Sequence, residues 1–240
     1  EYLLTKVTDT RYSVELQNAW GWNSGDINKT VTLYSLTYGI DEATNTCTLS
    51  NLSLRYFILE NNAMHDIDTA QELQNMENGY AYRLTNNIDL KGFDWKPYDF
   101  KGYIDGNGYS INNLTLKKDI TASYAIDEDR MIGLFRHSAG CFKNLTLNNA
   151  SITVSSKYRT DFNLGFIIGC IDGNGYIDNC IVNGDITVIT EGKAVGSIGG
   201  LVGYGDGGTI NNCLYSGSMR ISMQNSECDG AIGSLVGFRG

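Results

Sequence analysis

The chain has one proline, Pro97, and two histidines, His65 and His137, in 240 residues. Neither histidine lies in an HExxH string or beside a plausible Ser or Cys nucleophile, which counts against a zinc protease or a triad enzyme. The longest apolar runs are short strings such as Phe166-Ile167-Ile168, far below the roughly 20 residues a membrane-spanning helix requires. Nothing in this segment is expected to insert in a bilayer. Positive charge is also scarce: the formal net charge is −9, so no basic field exists to neutralise phosphates. No nucleic-acid partner is expected, and anionic membrane surfaces are poor candidate partners. The six cysteines (Cys47, Cys141, Cys170, Cys180, Cys213, Cys228) form no CxxC pair and no zinc-type Cys/His spacing, so no metal or other cofactor is implied and isolated buried thiols are expected.

What the chain has instead is 28 Gly and 24 Asn, residues that tolerate positive φ in turns. With 42% hydrophobic and only 19% charged residues, the chain folds rather than staying disordered. A turn-dense β protein follows. The sequence opens at Glu1 without an initiator Met or signal peptide and stops at Gly240 inside a repeat. An excised piece of a longer protein is the expectation.

The repeat shows in Ile132-Gly133-Leu134-Phe135, Gly165-Phe166-Ile167-Ile168-Gly169, Gly199-Gly200-Leu201-Val202-Gly203 and Gly233-Ser234-Leu235-Val236-Gly237. Their closing positions, Arg136, Gly169, Gly203 and Gly237, lie 33, 34 and 34 residues apart. A second string recurs as Ile111-Asn112-Asn113-Leu114, Phe142-Lys143-Asn144-Leu145, Ile177-Asp178-Asn179-Cys180 and Ile210-Asn211-Asn212-Cys213. Asp-Gly and Asn-Gly turns, at Asp105-Gly106-Asn107-Gly108, Asp172-Gly173-Asn174-Gly175 and Asp206-Gly207-Gly208, separate the strings. A unit this short cannot bury its own apolar face, so units must stack. Short strands with no amphipathic helix between them predict an all-β, right-handed parallel β-helix with a repeat of about 33 residues, the hand following from the chirality of parallel crossovers.

Stacking predicts ladders. Ile111, Phe142, Ile177 and Ile210 are expected in one inward column, and Leu114, Leu145, Cys180 and Cys213 in the next, with the Cys180–Cys213 pair as stacked free thiols because parallel neighbours fit disulfide geometry poorly. Asn113, Asn144, Asn179 and Asn212 are expected to form an amide ladder in an enclosed corner. That enclosure favours a structural role over glycosylation for the sequons at Asn113 and Asn144; Asn28 and Asn51 also head sequons.

Upstream, residues 68–76 read as a short helix, with Thr69 and Glu72 at capping-box spacing and Gly79 near its end, placed to cover the first rung of the solenoid. Residues 1–63 read as a β-rich N-terminal segment, with alternating stretches at 12–16 and 30–34. Asn51-Leu52-Ser53-Leu54 copies the repeat string. The β-helix is expected over 64–240.

Residues 67–116, "IDTAQELQNMENGYAYRLTNNIDLKGFDWKPYDFKGYIDGNGYSINNLTL", and "IGGLVGYGDGGTINNC" near 199–213 make the chain resemble the GLUG-motif β-helix modules of large bacterial surface proteins. The family includes adhesin-like proteins and non-catalytic parts of IgA-specific metallopeptidases. The resemblance implies an extracellular or cell-surface setting and no shared catalytic residue; the stop at Gly240, before the Asn string of a fourth coil, leads to the expectation that the segment either pairs end to end through its last rung or takes further β-helix coils of the same chain. The copy at Gly165 departs from Gly-Gly-Leu-Val-Gly by carrying Phe166 and Ile167.

Parallel β-helices also host polysaccharide lyases and glycosidases, which need carboxylates grouped about 5–10 Å apart for hydrolysis. The candidates are Asp105, Asp172, Asp178 and Asp206. Three of them sit beside Gly in turns, where bonding to their own backbone is reason enough for an Asp. Variable stretches at 117–130, 155–163, 189–197 and 222–231 occupy one equivalent place per repeat, and such insertions commonly emerge on a binding side. Tyr124, Asp127, Glu128, Asp129, Tyr158 and Arg159 are the candidate ligand contacts there, although Asp127-Glu128-Asp129 lacks Ca²⁺-loop spacing. The function expected is non-enzymatic: an adhesion or spacer module presenting loops to a host protein or glycan.

Overall fold

The structure, a computed structural model, describes the backbone of six strands between residues 4 and 59, and residues 64–240 apart from 122–129, 159, 174, 226–228 and 240. The six early strands, β1 (Leu4–Thr8), β2 (Arg11–Val14), β3 (Thr30–Leu33), β4 (Gly39–Asp41), β5 (Thr46–Thr48) and β6 (Tyr56–Leu59), pair antiparallel as β1–β2, β3–β6 and β4–β5. Two of them fall on the stretches read as strands from alternation. The Asn51 string lies outside the described residues.

From β7 (Met64–Ile67) onward all pairing is parallel. Helix α1 (Ala70–Gln74) leads to β8 (Ala81–Leu84) and β9 (Ile88–Asp89). A first full coil follows in β10 (Tyr103–Asp105), β11 (Ser110–Asn112), β12 (Thr115–Ile120), β13 (Met131–Ile132) and β14 (Phe135–Ser138). The next comprises β15 (Cys141–Lys143), β16 (Thr146–Ser156), β17 (Thr160–Gly165) and β18 (Ile168–Ile171), and the third β19 (Tyr176–Asp178), β20 (Ile181–Thr190), β21 (Ala194–Gly199) and β22 (Val202–Gly205). The last is β23 (Thr209–Asn211), β24 (Leu214–Ser216), β25 (Met219–Met223), β26 (Asp229–Gly233) and β27 (Val236–Arg239). The chain is thus an all-β solenoid of about 4 turns at roughly 34-residue spacing.

Four parallel sheets run along the stack. The first orders β7-β8-β10-β15-β19-β23; the second β9-β11-β16-β20-β24, with β12 and β25 beside β16 and β20; the third β13-β17-β21-β26; the fourth β14-β18-β22-β27. One apolar core fills the interior, with Phe100, Phe135, Phe142, Phe166, Leu164, Ile198 and Leu201 fully buried. Apolar residues at every second strand position face inward, and burial of each such side chain contributes on the order of 1.5–3 kcal/mol.

The glycines of the repeat have a steric reason. A Cβ on Gly203 would meet the backbone of the third sheet one rung below, at the Leu164 nitrogen and within 2.7 Å of the Asn163 carbonyl carbon. Sheets three and four approach so closely at this arch that only hydrogen fits. Arg136 holds the corresponding place on the first coil, where sheet three has no earlier rung.

Helix α1 starts where the capping box places it. Thr69 Oγ1 accepts from the Glu72 N–H at 3.2 Å, and Glu72 Oε2 accepts from the Thr69 N–H at 3.2 Å. The helix is shorter than the predicted span and ends at Asn75. Leu73 and Met76 are buried in the solenoid core, and Tyr98 Oη donates to the Leu73 carbonyl at 2.8 Å, so the helix covers the first rungs as expected.

The ladder assignments need one correction, and it is a slip of register. Phe142 pairs with Ile104 below and Ile177 above, and Ile177 with Ile210. Ile111 belongs to the second sheet, between Ile88 and Leu147. Leu114 likewise leaves the Leu145, Cys180, Cys213 column and falls level with Ala150, since Thr115 pairs with Ser151. The first glycine turn, Asp105-Gly106-Asn107-Gly108, joins β10 to β11, whereas the Asp172 and Asp206 turns join sheet four to sheet one. The recurrence of Tyr103-Ile104-Asp105 as Tyr176-Ile177-Asp178 was the better signal.

The asparagine ladder exists as two columns. Asn179 Nδ2 donates to Asn144 Oδ1 at 2.8 Å and Asn144 Nδ2 to Asp105 Oδ1 at 2.9 Å. In the second column Asn149 Nδ2 donates to Asn113 Oδ1 at 2.6 Å and Asn113 Nδ2 to Asp89 Oδ1 at 2.7 Å. Asn212 donates to Asp178 rather than Asn179. The corner is not closed to water, because Asn179 and Asn212 are exposed and Asn113 and Asn144 half-buried. Backbone conformation supplies the stronger reason for asparagine: all four have φ between 49° and 60°, a left-handed region that costs other L-residues about 1–2 kcal/mol. Asn179→Leu should therefore lose about 1–2 kcal/mol, while Asn179→Gly, free of that strain, should stay within about 1 kcal/mol of the parent. Urea melts of the two variants check this; equal losses would assign the cost to the lost amide instead.

Candidate functional site

The variable stretches converge on one corner. The chain turns from sheet two to sheet three after Ile120, Ser156, Thr190 and Met223, and register pairs those residues in sequence up the stack. At this corner Tyr158 is 47% exposed. Its N–H donates to Ser156 Oγ at 3.3 Å, and that hydroxyl donates to the Tyr158 carbonyl at 3.1 Å. The buried Ser156 thus fixes the turn while the phenol ring faces solvent. Successive turns stack tightly, since a Cβ on Gly192 would fall within 2.5 Å of the Tyr158 carbonyl. Tyr124, Asp127, Glu128, Asp129 and Arg159 lie outside the described residues; by chain order the first four belong to the β12–β13 connection and Arg159 to the β16–β17 turn.

The four candidate carboxylates fall at two places on the stack. Asp105 and Asp178 end β10 and β19 in sheet one, two rungs apart with Lys143 between them, hence about 10 Å along the stack. Asp105 accepts from the Asn107 N–H and the Asn144 amide, and Asp178 from the Asn212 amide. Asp172 and Asp206 stand on adjacent rungs at the corner between sheets four and one, just after the paired Ile171 and Gly205, hence about 5 Å apart along the stack. Asp105 and Asp178 are occupied with holding a turn or a ladder, and Asp172 Oδ1 lies 2.7 Å from His137 Nε2.

One constellation was missed because its members are far apart in sequence. Register places Cys170 beside His137 on the next rung, and His137 Nε2 lies 2.7 Å from Asp172 Oδ1. Cys170 is thus the register neighbour of His137, and Asp172 its ion-pair partner, contrary to the expectation that neither histidine neighbours a nucleophile. The arrangement is not that of an activated thiol. Burial, followed by Asp172 and Asp206, pushes the Cys170 thiol up to about 11, so it stays protonated near neutral pH, whereas catalytic cysteines are lowered. Ser138, next to His137, is fully buried; its hydroxyl donates to the Phe100 carbonyl and accepts from the Gly140 N–H. It is a structural hydroxyl.

The thiols differ in reactivity. Burial raises Cys141 to about 12. Cys180 and Cys213 are stacked neighbours and unbridged, as expected. The hydrogen bond between their side chains, and then burial, raises Cys180, while the same hydrogen bond lowers Cys213. Cys213 is also only partly buried and accepts the Cys180 N–H at 3.4 Å. In a Cys47→Ser, Cys228→Ser background, iodoacetamide at neutral pH should label Cys213 first and leave Cys141, Cys170 and Cys180 intact until denaturant is added. Mass spectrometry of the labelled peptides reads the order; prior labelling of Cys141 would contradict the packing of sheet one.

A concavity of about 700 Å³ lies at the first coil between Trp95, Lys96, Lys117, Lys118, Ile132 and Arg136. Two of its cations are matched internally, Lys96 to Asp94 at 2.7 Å and Arg136 to Asp99 at 3.1 Å. Lys117 and Lys118 line the outer edge of β12, which pairs only with β16. Lysines on an unpaired edge guard against strand addition. Among the described residues no cluster of three or more metal-ligating side chains occurs.

No family model matches the chain. It is similar to a protein named as a Gly-rich membrane protein of Evansella cellulosilytica, 31% identical over 48% of this chain and 14% of that protein. It is also similar to the halomucin of Haloquadratum walsbyi, 29% identical over 66% of this chain and 2% of that protein. The chain therefore spans a small fraction of the length of either relative. A crystal structure from Bacteroides ovatus, assigned as an immunoglobulin A1 protease, aligns over 73% of this chain and 83% of that one, with 15% identity and a TM-score of 0.22. No helix among the described residues is long and apolar enough to cross a membrane.

Proposed function

We propose that the chain is a non-enzymatic binding or spacer module of a large bacterial cell-surface protein, with 64–240 as a β-helix of the GLUG type and 1–63 as a separate β-rich unit before it. The observation that carries this reading is the recurrence of one corner. The connections after Ile120, Ser156, Thr190 and Met223 vary in length and charge, yet leave the scaffold at the same place on successive rungs. A rigid stack that holds variable turns in a row suits multivalent contact with a host protein or glycan. Tyr124, Asp127, Glu128, Asp129, Tyr158 and Arg159 are the contacts this reading selects. The resemblance to surface modules and the names of the two relatives support an extracellular or cell-surface setting.

The rival reading is a carbohydrate-active enzyme fragment, and a panel of polysaccharides and host extracellular proteins separates the two. Saturable binding that falls at least fivefold in Tyr158→Ala, with no reducing ends or unsaturated products released, is the expected result. Turnover abolished by Asp178→Asn or Asp206→Asn would overturn it in favour of the enzyme.

A further inference from the structure

We propose that the concavity beneath the first coil is a binding site for a short saccharide carrying carboxylate groups. It rests on the reading of the chain as a binding module and gives that reading a ligand class, at a place other than the shared corner. The hollow exists because half a rung is missing. Strand β9 lies below β11, but β12 pairs only with β16 and β13 only with β17, so neither has a strand beneath it. The chain crosses this gap as the 90–97 connection and leaves a space of about 700 Å³, within the range of small-ligand sites.

The charge of the hollow departs from that of the chain. Four cations, Lys96, Lys117, Lys118 and Arg136, and one carboxylate, Asp94, line it, on a protein of net charge −9. Two of the cations break the repeat. Lys118 stands in an inward column that continues as Val154 and Val188, both fully buried. Arg136 stands where later coils have Gly169, Gly203 and Gly237. Asp99 accepts from its Nε at 3.1 Å and so fixes the guanidinium plane, which suits recognition of a carboxylate. Lys117 is exposed, and no acid partners it among the described residues. Edge protection explains an outward lysine on β12; it does not explain cations from sheets two and four around one hollow. Departures from a repeat that converge on one place are where a functional site is expected.

The apolar lining selects a saccharide. Trp95, Leu116 and Ile132 are buried there, and Phe93 is half-buried, 6.4 Å from Trp95, ring centre to ring centre. Apolar and aromatic walls with exposed cations beside them match the C–H face and the carboxylates of an acidic sugar. An acidic peptide would take the free edge of β12 by strand addition, which the inward Lys118 opposes.

The test measures binding to the full chain by titration calorimetry, with tetragalacturonate and a sialylated lactose, each beside its methyl ester, which removes the charge and keeps the sugar. At least one acid should bind saturably, at least tenfold more tightly than its ester, and less tightly as salt rises. Lys117→Gln, and Lys118→Val, which restores the residue of the later rungs, should each weaken binding at least fivefold with circular dichroism unchanged. Tyr158→Ala should leave the affinity within twofold, and hexaglutamate should not compete. Failure of both acids to bind, equal binding of the esters, competition by hexaglutamate, or indifference to both lysine changes overturns the proposal. Loss of binding in Tyr158→Ala alone overturns it too and leaves the corner as the binding site. Lysine-dependent binding accompanied by shortened or unsaturated products would uphold the site and strike only the non-enzymatic reading.

Discussion

Gly203→Val should destroy the cooperative unfolding of the solenoid or lower its stability by about 4 kcal/mol or more, a loss at the extreme of single substitutions. The reason is the arch between sheets three and four. A Cβ at Gly203 meets the Leu164 nitrogen, the Gly169 carbonyl oxygen at 2.6 Å and the Asn163 carbonyl carbon at 2.7 Å. All three are backbone atoms of neighbouring strands, held by ladder hydrogen bonds on both sides, so no rotamer change relieves the contact. Relief requires the two sheets to part, which would break β17 from β21 or β18 from β22. Gly173→Ala is the matched control, because its nearest neighbour, the Asp206 carbonyl oxygen, lies at an ordinary 3.4 Å. That change should be neutral or stabilise by up to about 1 kcal/mol through the unfolded state. Guanidinium melts followed by circular dichroism compare the two. Similar midpoints would mean that the repeat glycines serve turn flexibility and not close approach.

Phe142→Ala should cost about 3–5 kcal/mol, the range for deleting a fully buried aromatic ring. Phe142 is fully buried and lies 5.4 Å from Phe135 and 6.1 Å from Phe100, ring centre to ring centre. Phe135 and Phe100 stack in turn at 5.2 Å, and Trp95 and Tyr98 close the cluster from the cap. The ring is the point where the aromatic cap joins the aliphatic interior of the later coils, between Ile104 and Ile177. Truncation leaves a cavity that neighbours on fixed rungs cannot collapse into. Phe142→Leu, which keeps most of the volume, should recover more than half of the loss. Calorimetry or urea melts give the comparison, and a Phe142→Ala loss below about 1 kcal/mol would place the side chain outside the core.

Much of this architecture is legible from periodicity. Strings such as Gly199-Gly200-Leu201-Val202-Gly203 recur at the spacing of the coils because each must pass the same tight arch, and steric exclusion leaves a strong mark in sequence. Thr69 and Glu72 announce the helix start for an equally local reason. Register on the first coil was harder to read. There Asp105-Gly106-Asn107-Gly108 adds a turn between β10 and β11 that the next coil lacks, so matching Ile111 to Phe142 slipped one strand along the coil. Exposure of the asparagine corners is also invisible to pattern, since Asn at positive φ satisfies its backbone whether or not water reaches its amide. On the functional side, the shared corner is readable because chain length and composition vary there. The placing of His137 beside Cys170 and Asp172 is not, because only a correct register brings it to residues more than 30 positions away.

The register of the stack underlies the core and the shared corner alike, and one spectrum tests it. In protein labelled at isoleucine δ1 and leucine methyls and phenylalanine rings, nuclear Overhauser contacts from the Phe142 ring should reach Ile104 and Ile177, the residues paired with it on the rungs below and above. Ile111 should instead contact Ile88 and Leu147 in sheet two. Cross-peaks from Phe142 to Ile111 with none to Ile104 would contradict the stacking, and with it the alignment of the corner that the proposed binding role depends on.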